Sequence, residues 1–222
     1  MIFKTRGIVF RFTKFRETSI IVTIFTEAFG LQSYIVNGVR SKSAKNRIAL
    51  FQPLTLLNLV VYHRENANIE RIREISCLYP YRTLMTDVKK STLAMFVNEI
   101  LNKTVKDESH AGEIFQFLYD SLTTLDSQED GFENFHLIYL LKLARYLGFG
   151  VYNLNEVLGG RVTDPETEKI LGELLTADYD TQLKITNMQR RNLLELLLKF
   201  YAEHMEHLGE IKSVQVLREV FM

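Results

Sequence analysis

Cysteine is nearly absent from this sequence: Cys77 is the one such residue among 222. A lone thiol excludes an intramolecular disulfide framework and a cysteine-based zinc site, and Cys77 itself reads as a small buried residue after a strand. No apolar run approaches the roughly 18 residues that a membrane-spanning helix needs. The first residues, MIFKTRGIVFRF, are interrupted by Lys4, Arg6 and Arg11, which does not fit a secretion signal. The expectation is a cytoplasmic protein with no membrane partner. Signatures of catalysis are missing too, with no phosphate-binding glycine loop, no G-x-S-x-G and no H-E-x-x-H. Gly148-x-Gly150 lacks the third glycine of a dinucleotide fingerprint and follows a helical pattern, so capping explains it. His204 and His207, beside Glu203 and Glu206, fit a wet helix face better than a metal site. No carboxylate pair stands out as a general acid and base. The reading is a non-enzyme with no cofactor and no metal.

Net charge is also absent, because 27 Lys/Arg balance 27 Asp/Glu. The balance hides an asymmetry. Residues 1–80 hold twelve basic residues against five acidic ones, and the remainder holds fifteen against twenty-two. Opposed halves fit a polyanion-binding module joined to an acidic one. Within the basic half, the stretch GLQSYIVNGVRSKSAKNR opens from a strand pattern into Arg40, Lys42, Lys45 and Arg47, with no acid among them. A small, polar, purely cationic loop suits a polyanion, and nucleic acid is the one expected. Phosphate contacts release counterions, so log K for a single strand should fall by about 0.7 per contact for each decade of salt. Lys4, Arg6, Arg11, Lys14 and Arg16 are further phosphate candidates, although some of them are placed to pair with acids of the second half. Tyr34, Phe10, Phe12 and Phe15 are residues able to stack on bases, but a small barrel also needs aromatics inside, and each reads as core before platform.

Residues 2–12 and 18–26 read as strands, the second with Ile20, Val22 and Ile24 on one face and Ile21, Thr23 and Phe25 on the other. The Gly30 strand, the stretch FQPLTLLNLVVYH and residues 69–76 complete five short strands, a pattern for a small barrel. Strand count alone also fits an SH3-like barrel; the cations and aromatics favour the oligonucleotide-binding (OB) type. From residue 81 the period changes to that of helices. One helix starts near Asp87, a second carries Ile114 to Leu125, and a third, from about Phe132 to Leu147, is apolar nearly all round and ends at Gly148. Residues 148–162 read as irregular. Thr163-Asp164-Pro165-Glu166 is a helix start, and further helices open at Asn187 and Ile211. The predicted fold is α+β in two domains: a five-stranded OB-type β-barrel over 1–80 and an all-α bundle over 81–222. Two rivals stand beside the nucleic-acid reading. In one, a non-catalytic interaction scaffold uses its basic barrel to dock an acidic protein; in the other, an RNA-binding barrel serves translation.

The segments KTRGIVFRF, ETSIIVTIFTEAFG, YIVNGVRSKS and LFQPLTLL, in this order, resemble the N-terminal domain of the bacterial RecO family of recombination mediators. The run YLLKLARYLGF and the ending KSVQVLREVF resemble the helical half of RecO proteins of the Bacteroidetes type. The resemblance implies an OB barrel and a helical domain that bind single- and double-stranded DNA and anneal complementary strands at the nucleoid. It further implies work with RecR to place RecA on strands coated by single-strand-binding protein, whose acidic, apolar C-terminal tail is a partner of the helical domain. It carries Lys4 and the Gly38, Arg40, Lys42 pattern onto this chain. Many RecO proteins hold a cysteine-based zinc site after the Leu-Gly-Phe helix. Here VYNLNEVLGGRVTDPE has no cysteine, so no zinc is expected, and what the zinc loop contributes elsewhere is expected to be absent or replaced by packing of Leu154, Val157 and Leu158.

Overall fold

The first strand, β1 (Ile2–Phe15), is long enough to serve two neighbours, and that shapes the N-terminal unit. Its first half pairs with β4 (Leu56–Tyr62) and its second half with β2 (Ser19–Thr26). Gly7 sits where the partners change, opposite both Thr26 and Leu57. A Cβ there would stand 2.7 Å from Ile24 Cγ2 and from Leu59 Cδ1, so only glycine lets the barrel close this tightly. A register shift between Val9 and Arg11 adds the local bend expected of a bulge. β3 (Gly30–Val36) follows β2, and β5 (Glu70–Tyr79) runs parallel to β3 and antiparallel to β4. The order β1-β2-β3-β5-β4 closes on itself as an OB-type barrel. The structure, a computed structural model, describes residues 1–40, 47–64, 67–106 and 110–221.

Alternation fills the barrel as expected. Ile20, Val22 and Ile24 of β2 point inward with Val9, Leu59 and Val61. Phe51, on a 3-10 turn over Ile48–Phe51, joins the same core. Pro53 lies in the turn ahead of β4, where its missing N–H costs no ladder bond. Cys77 corrects one expectation. It is exposed, beside the register shift between β4 and β5 at Leu56/Leu57, where inward and outward alternation breaks down.

Seven α-helices follow among the described residues: α1 (Val88–Thr104), α2 (Ala111–Ser127), α3 (Phe135–Tyr146), α4 (Leu154–Leu158), α5 (Pro165–Thr176), α6 (Asn187–His204) and α7 (Ser213–Phe221). The fold is therefore α+β. Two compact units divide the chain, residues 1–81 with 105–120, and residues 82–104 with 121–222. In the second unit α3 is central: every residue from Phe135 to Ala144 except Lys142 is buried, and α1, α5 and α6 pack on it. Gly148 has a left-handed φ of 78° and ends this helix. Asp164 caps α5, accepting from the Thr167 N–H, with Pro165 at the first helical position. α4 is a difference from the sequence reading, which had residues 148–162 irregular. Asn153 and Glu156 form a capping box around this short helix and bury Val157 and Leu158. Arg190 is buried and, among the described residues, has no carboxylate partner. It donates to Asn134 Oδ1, Asn187 Oδ1, Ile185 O and Phe221 O, tying α6 to the turns before α3 and α6 and to the end of α7.

Candidate nucleic-acid interface

Two loops meet at one edge of the barrel. The pairing of Phe15 with Ser19 leaves Arg16, Glu17 and Thr18 as a tight hairpin turn, with Arg16 in the left-handed region at φ 51°. Beyond β3, Gly38 at φ 74° turns the chain back over this hairpin. The Arg40 N–H donates to Thr18 O at 3.0 Å, and Arg40 Nη1 donates to Arg16 O at 3.1 Å. The Ser19 hydroxyl donates to Asn37 Oδ1 at 3.0 Å. Arg16 and Arg40 are thus held together and both are exposed, the Arg16 guanidinium lying 5.2 Å from the half-buried Phe15 ring. Lys14 and Arg11 are exposed on the same strand, and Arg47 is exposed ahead of the 3-10 turn. Lys42 and Lys45 lie outside the described residues.

Strand register extends this surface. Directly paired residues share a face, so Arg11 stands opposite Thr23, and Thr23 opposite Ser33. The next row runs Thr13, Ile21, Ile35, Arg71. Arg71 and Arg73 are exposed on β5, and sequence reasoning passed over both. Their two-residue spacing in ERIREIS was a usable signal, since residues i and i+2 line one face of a strand. Among the described residues the exposed carboxylates here are Glu17 at the hairpin tip and Glu74, which pairs with Arg73 at 3.4 Å, while Glu70 is buried against His63.

Other candidates are placed elsewhere. Arg6 donates from Nε and Nη2 to the two Glu27 oxygens at 2.9 and 2.6 Å, and from Nη2 to Gln116 Oε1 at 3.0 Å. Its guanidinium lies 4.8 Å from the Phe115 ring centre. The hydrogen-bonded Arg6 guanidinium holds the Glu27 carboxyl below its ordinary range. Arg6 therefore joins β1 to the first half of α2 and is not free for a phosphate. Lys4 lines a groove of about 540 Å³ with Arg6, Glu27, Asn58, Glu74 and Ser76, a mixed-charge setting that does not favour a polyanion. Tyr34 is a core residue, 0% exposed, and not a stacking platform; burial and the nearby Glu70 push its phenol up. Phe10 is likewise buried, stacked on Phe25 at 5.7 Å. A salt-titration test separates these roles. Arg11→Ala should lower the slope of log K on log salt by about 0.7. Arg6→Ala should leave the slope unchanged while lowering the melting temperature.

In the helical unit, Glu203 is paired with Arg161, and His204 Nδ1 lies 2.9 Å from Phe200 O. Among the described residues no group of three or more His, Cys, Asp or Glu side chains is placed to hold a metal. No described helix is long and apolar enough to cross a membrane.

A closed five-stranded barrel in this strand order, with cations gathered on its outer face and a helical unit after it, defines an OB-type protein with a candidate polyanion surface. Comparison with known sequences narrows the class. The family described as "Recombination protein O N terminal" matches residues 1–81, and "Recombination protein O C terminal" matches residues 85–167. The chain is 35% identical to the DNA repair protein RecO of Flavobacterium johnsoniae over 236 aligned positions, covering 98% of each chain. It is 32% identical to that of Phocaeicola vulgatus, covering 100% of each. The chain belongs to the RecO family of DNA repair and recombination proteins.

Proposed function

We propose that this protein is a non-catalytic recombination mediator whose barrel binds single- and double-stranded DNA. In this reading it anneals complementary strands and, with RecR, helps load RecA onto DNA coated by single-strand-binding protein. The observation that supports it is the outer barrel face carrying Arg11, Arg16, Arg40 and Arg71, none in an ion pair among the described residues, in a chain that matches RecO relatives over nearly its full length. Annealing needs no cofactor: strands held on a cationic surface lose their mutual repulsion, and base pairing drives the rest. The barrel region 1–80 is the DNA module and region 81–222 the docking module, with the single-strand-binding protein's acidic tail as its partner.

The test is fluorescence anisotropy of a labelled single-stranded oligonucleotide at several salt concentrations. The unaltered protein is compared with a variant in which Arg40, Lys42, Lys45 and Arg47 are all changed to Glu. Four lost phosphate contacts should lower the salt slope by about 3 and abolish binding near physiological salt. Equal binding by both proteins would move the site to the face of Arg11 and Arg71. No binding by the unaltered protein would overturn the reading in favour of the scaffold.

A further inference from the structure

The row that joins Thr13, Ile21, Ile35 and Arg71 does not stop at β5. Arg71 stands directly opposite Tyr62 of β4, and Tyr62 opposite Ile2 of β1. Tyr62 is 42% exposed and Ile2 50% exposed, so this part of the stripe points outward. Neighbouring strands lie about 4.8 Å apart, so Tyr62 and Arg71 are cross-strand neighbours on the outer face, with Ile35 opposite the arginine on its other side. This phenol ring lies outside the barrel's core cluster and is partly open to solvent. It offers a π face for stacking, and Arg71 a charge for the adjoining phosphate. The row begins at Thr13, two residues from Arg11, and reaches Tyr62 across β2, β3 and β5, about 19 Å along the sheet, a path an extended single strand can follow.

We propose that Tyr62, flanked by Arg71, is a stacking site for an unpaired base, through which the barrel prefers single-stranded over double-stranded DNA. The inference rests on the DNA-binding reading above. A duplex keeps its bases stacked on one another and offers phosphates and groove edges but no free base face, and its phosphates meet Arg71 and its neighbours equally well. A single strand presents free base faces, and stacking accepts every base, so the preference is for strandedness and not for sequence.

Anisotropy titrations with a labelled oligothymidylate and with a duplex of equal length test this on the unaltered protein, Tyr62→Ala and Tyr62→Phe. Tyr62→Ala should weaken single-strand binding roughly ten-fold, the effect of one stacked base. Tyr62→Phe should retain the affinity, while duplex affinity and both salt slopes stay unchanged. Because the chain has no tryptophan, Tyr62→Trp supplies a sole indole, expected to be quenched by the oligothymidylate and not by an abasic strand of the same length. Unchanged single-strand affinity of Tyr62→Ala, or equal loss on both DNAs, overturns this inference alone. So does binding without quenching of the indole. Failure of the unaltered protein to bind either DNA overturns the DNA reading and this inference with it.

Discussion

Asp126→Ala is expected to cost about 3–5 kcal/mol and to lower the melting temperature by roughly 10 °C, measured by circular dichroism. Asp126 ends the second helix of the bundle segment and is 2% exposed. Its Oδ1 accepts from the backbone N–H groups of Arg82, Thr83 and Leu84 at 3.0, 2.9 and 2.7 Å. Its own carbonyl accepts from the Thr83 hydroxyl and from the buried Lys90 ammonium at 2.9 Å. One side chain therefore satisfies the turn that leads into α1, where Asp87 accepts the Lys90 N–H. Alanine would leave three N–H groups of a partly buried turn without their acceptor, that of Leu84 fully buried, and an orphaned buried donor loses its full solvation. Asp126→Asn keeps an acceptor in place but loses the charge. It should fall between the two proteins, which distinguishes a hydrogen-bonding role from simple packing.

The second large effect depends on pH. His136, on α3, is 0% exposed, lies edge-on to Phe96 at 6.2 Å, and has neither ring nitrogen hydrogen-bonded among the described residues. Burial, with the Arg190 cation nearby, pushes its imidazole down to about 3. The unfolded chain takes up this proton near the ordinary value of about 6.5, whereas the folded chain holds the ring neutral. Stability from this group is complete above about pH 6.5 and is lost as pH falls toward 3, by about 1.4 kcal/mol per pH unit. The carboxylates of Glu27 and Glu99, both held below their ordinary range, contribute stability that is lost only at lower pH. The window from about pH 6.5 to 4.5 therefore belongs to His136. Urea midpoints across that window should fall for the unaltered protein. His136→Leu should flatten the dependence and be neutral or stabilising at pH 7, because it removes two unpaired polar atoms. An equally steep slope in the variant would assign the acid sensitivity elsewhere.

Local, periodic and compositional features were legible in the chain. Alternation over 19–26 marked β2 and its buried face, the helical period marked α1 to α3, and Thr163-Asp164-Pro165 marked a helix start. Each is written in contacts between residues a few positions apart. The five-residue α4 was missed although Asn153 and Glu156 carry a capping signal, because so short a helix has no period to show.

The tertiary structure alone decided which candidates share a surface. Arg6 and Arg11 lie on one strand with the same chemistry, yet Arg6 is spent on Glu27 and Gln116 while Arg11 faces outward. Tyr34 and Tyr62 are the same residue type in strands of similar composition, and only the first is buried. Side-chain identity determined charge, ring and strand preference. Alternation narrows each residue to one of two faces. Which residues then become neighbours depends on register across five strands and on the closure that Gly7 permits, and those contacts join positions as distant as Ile2 and Tyr62.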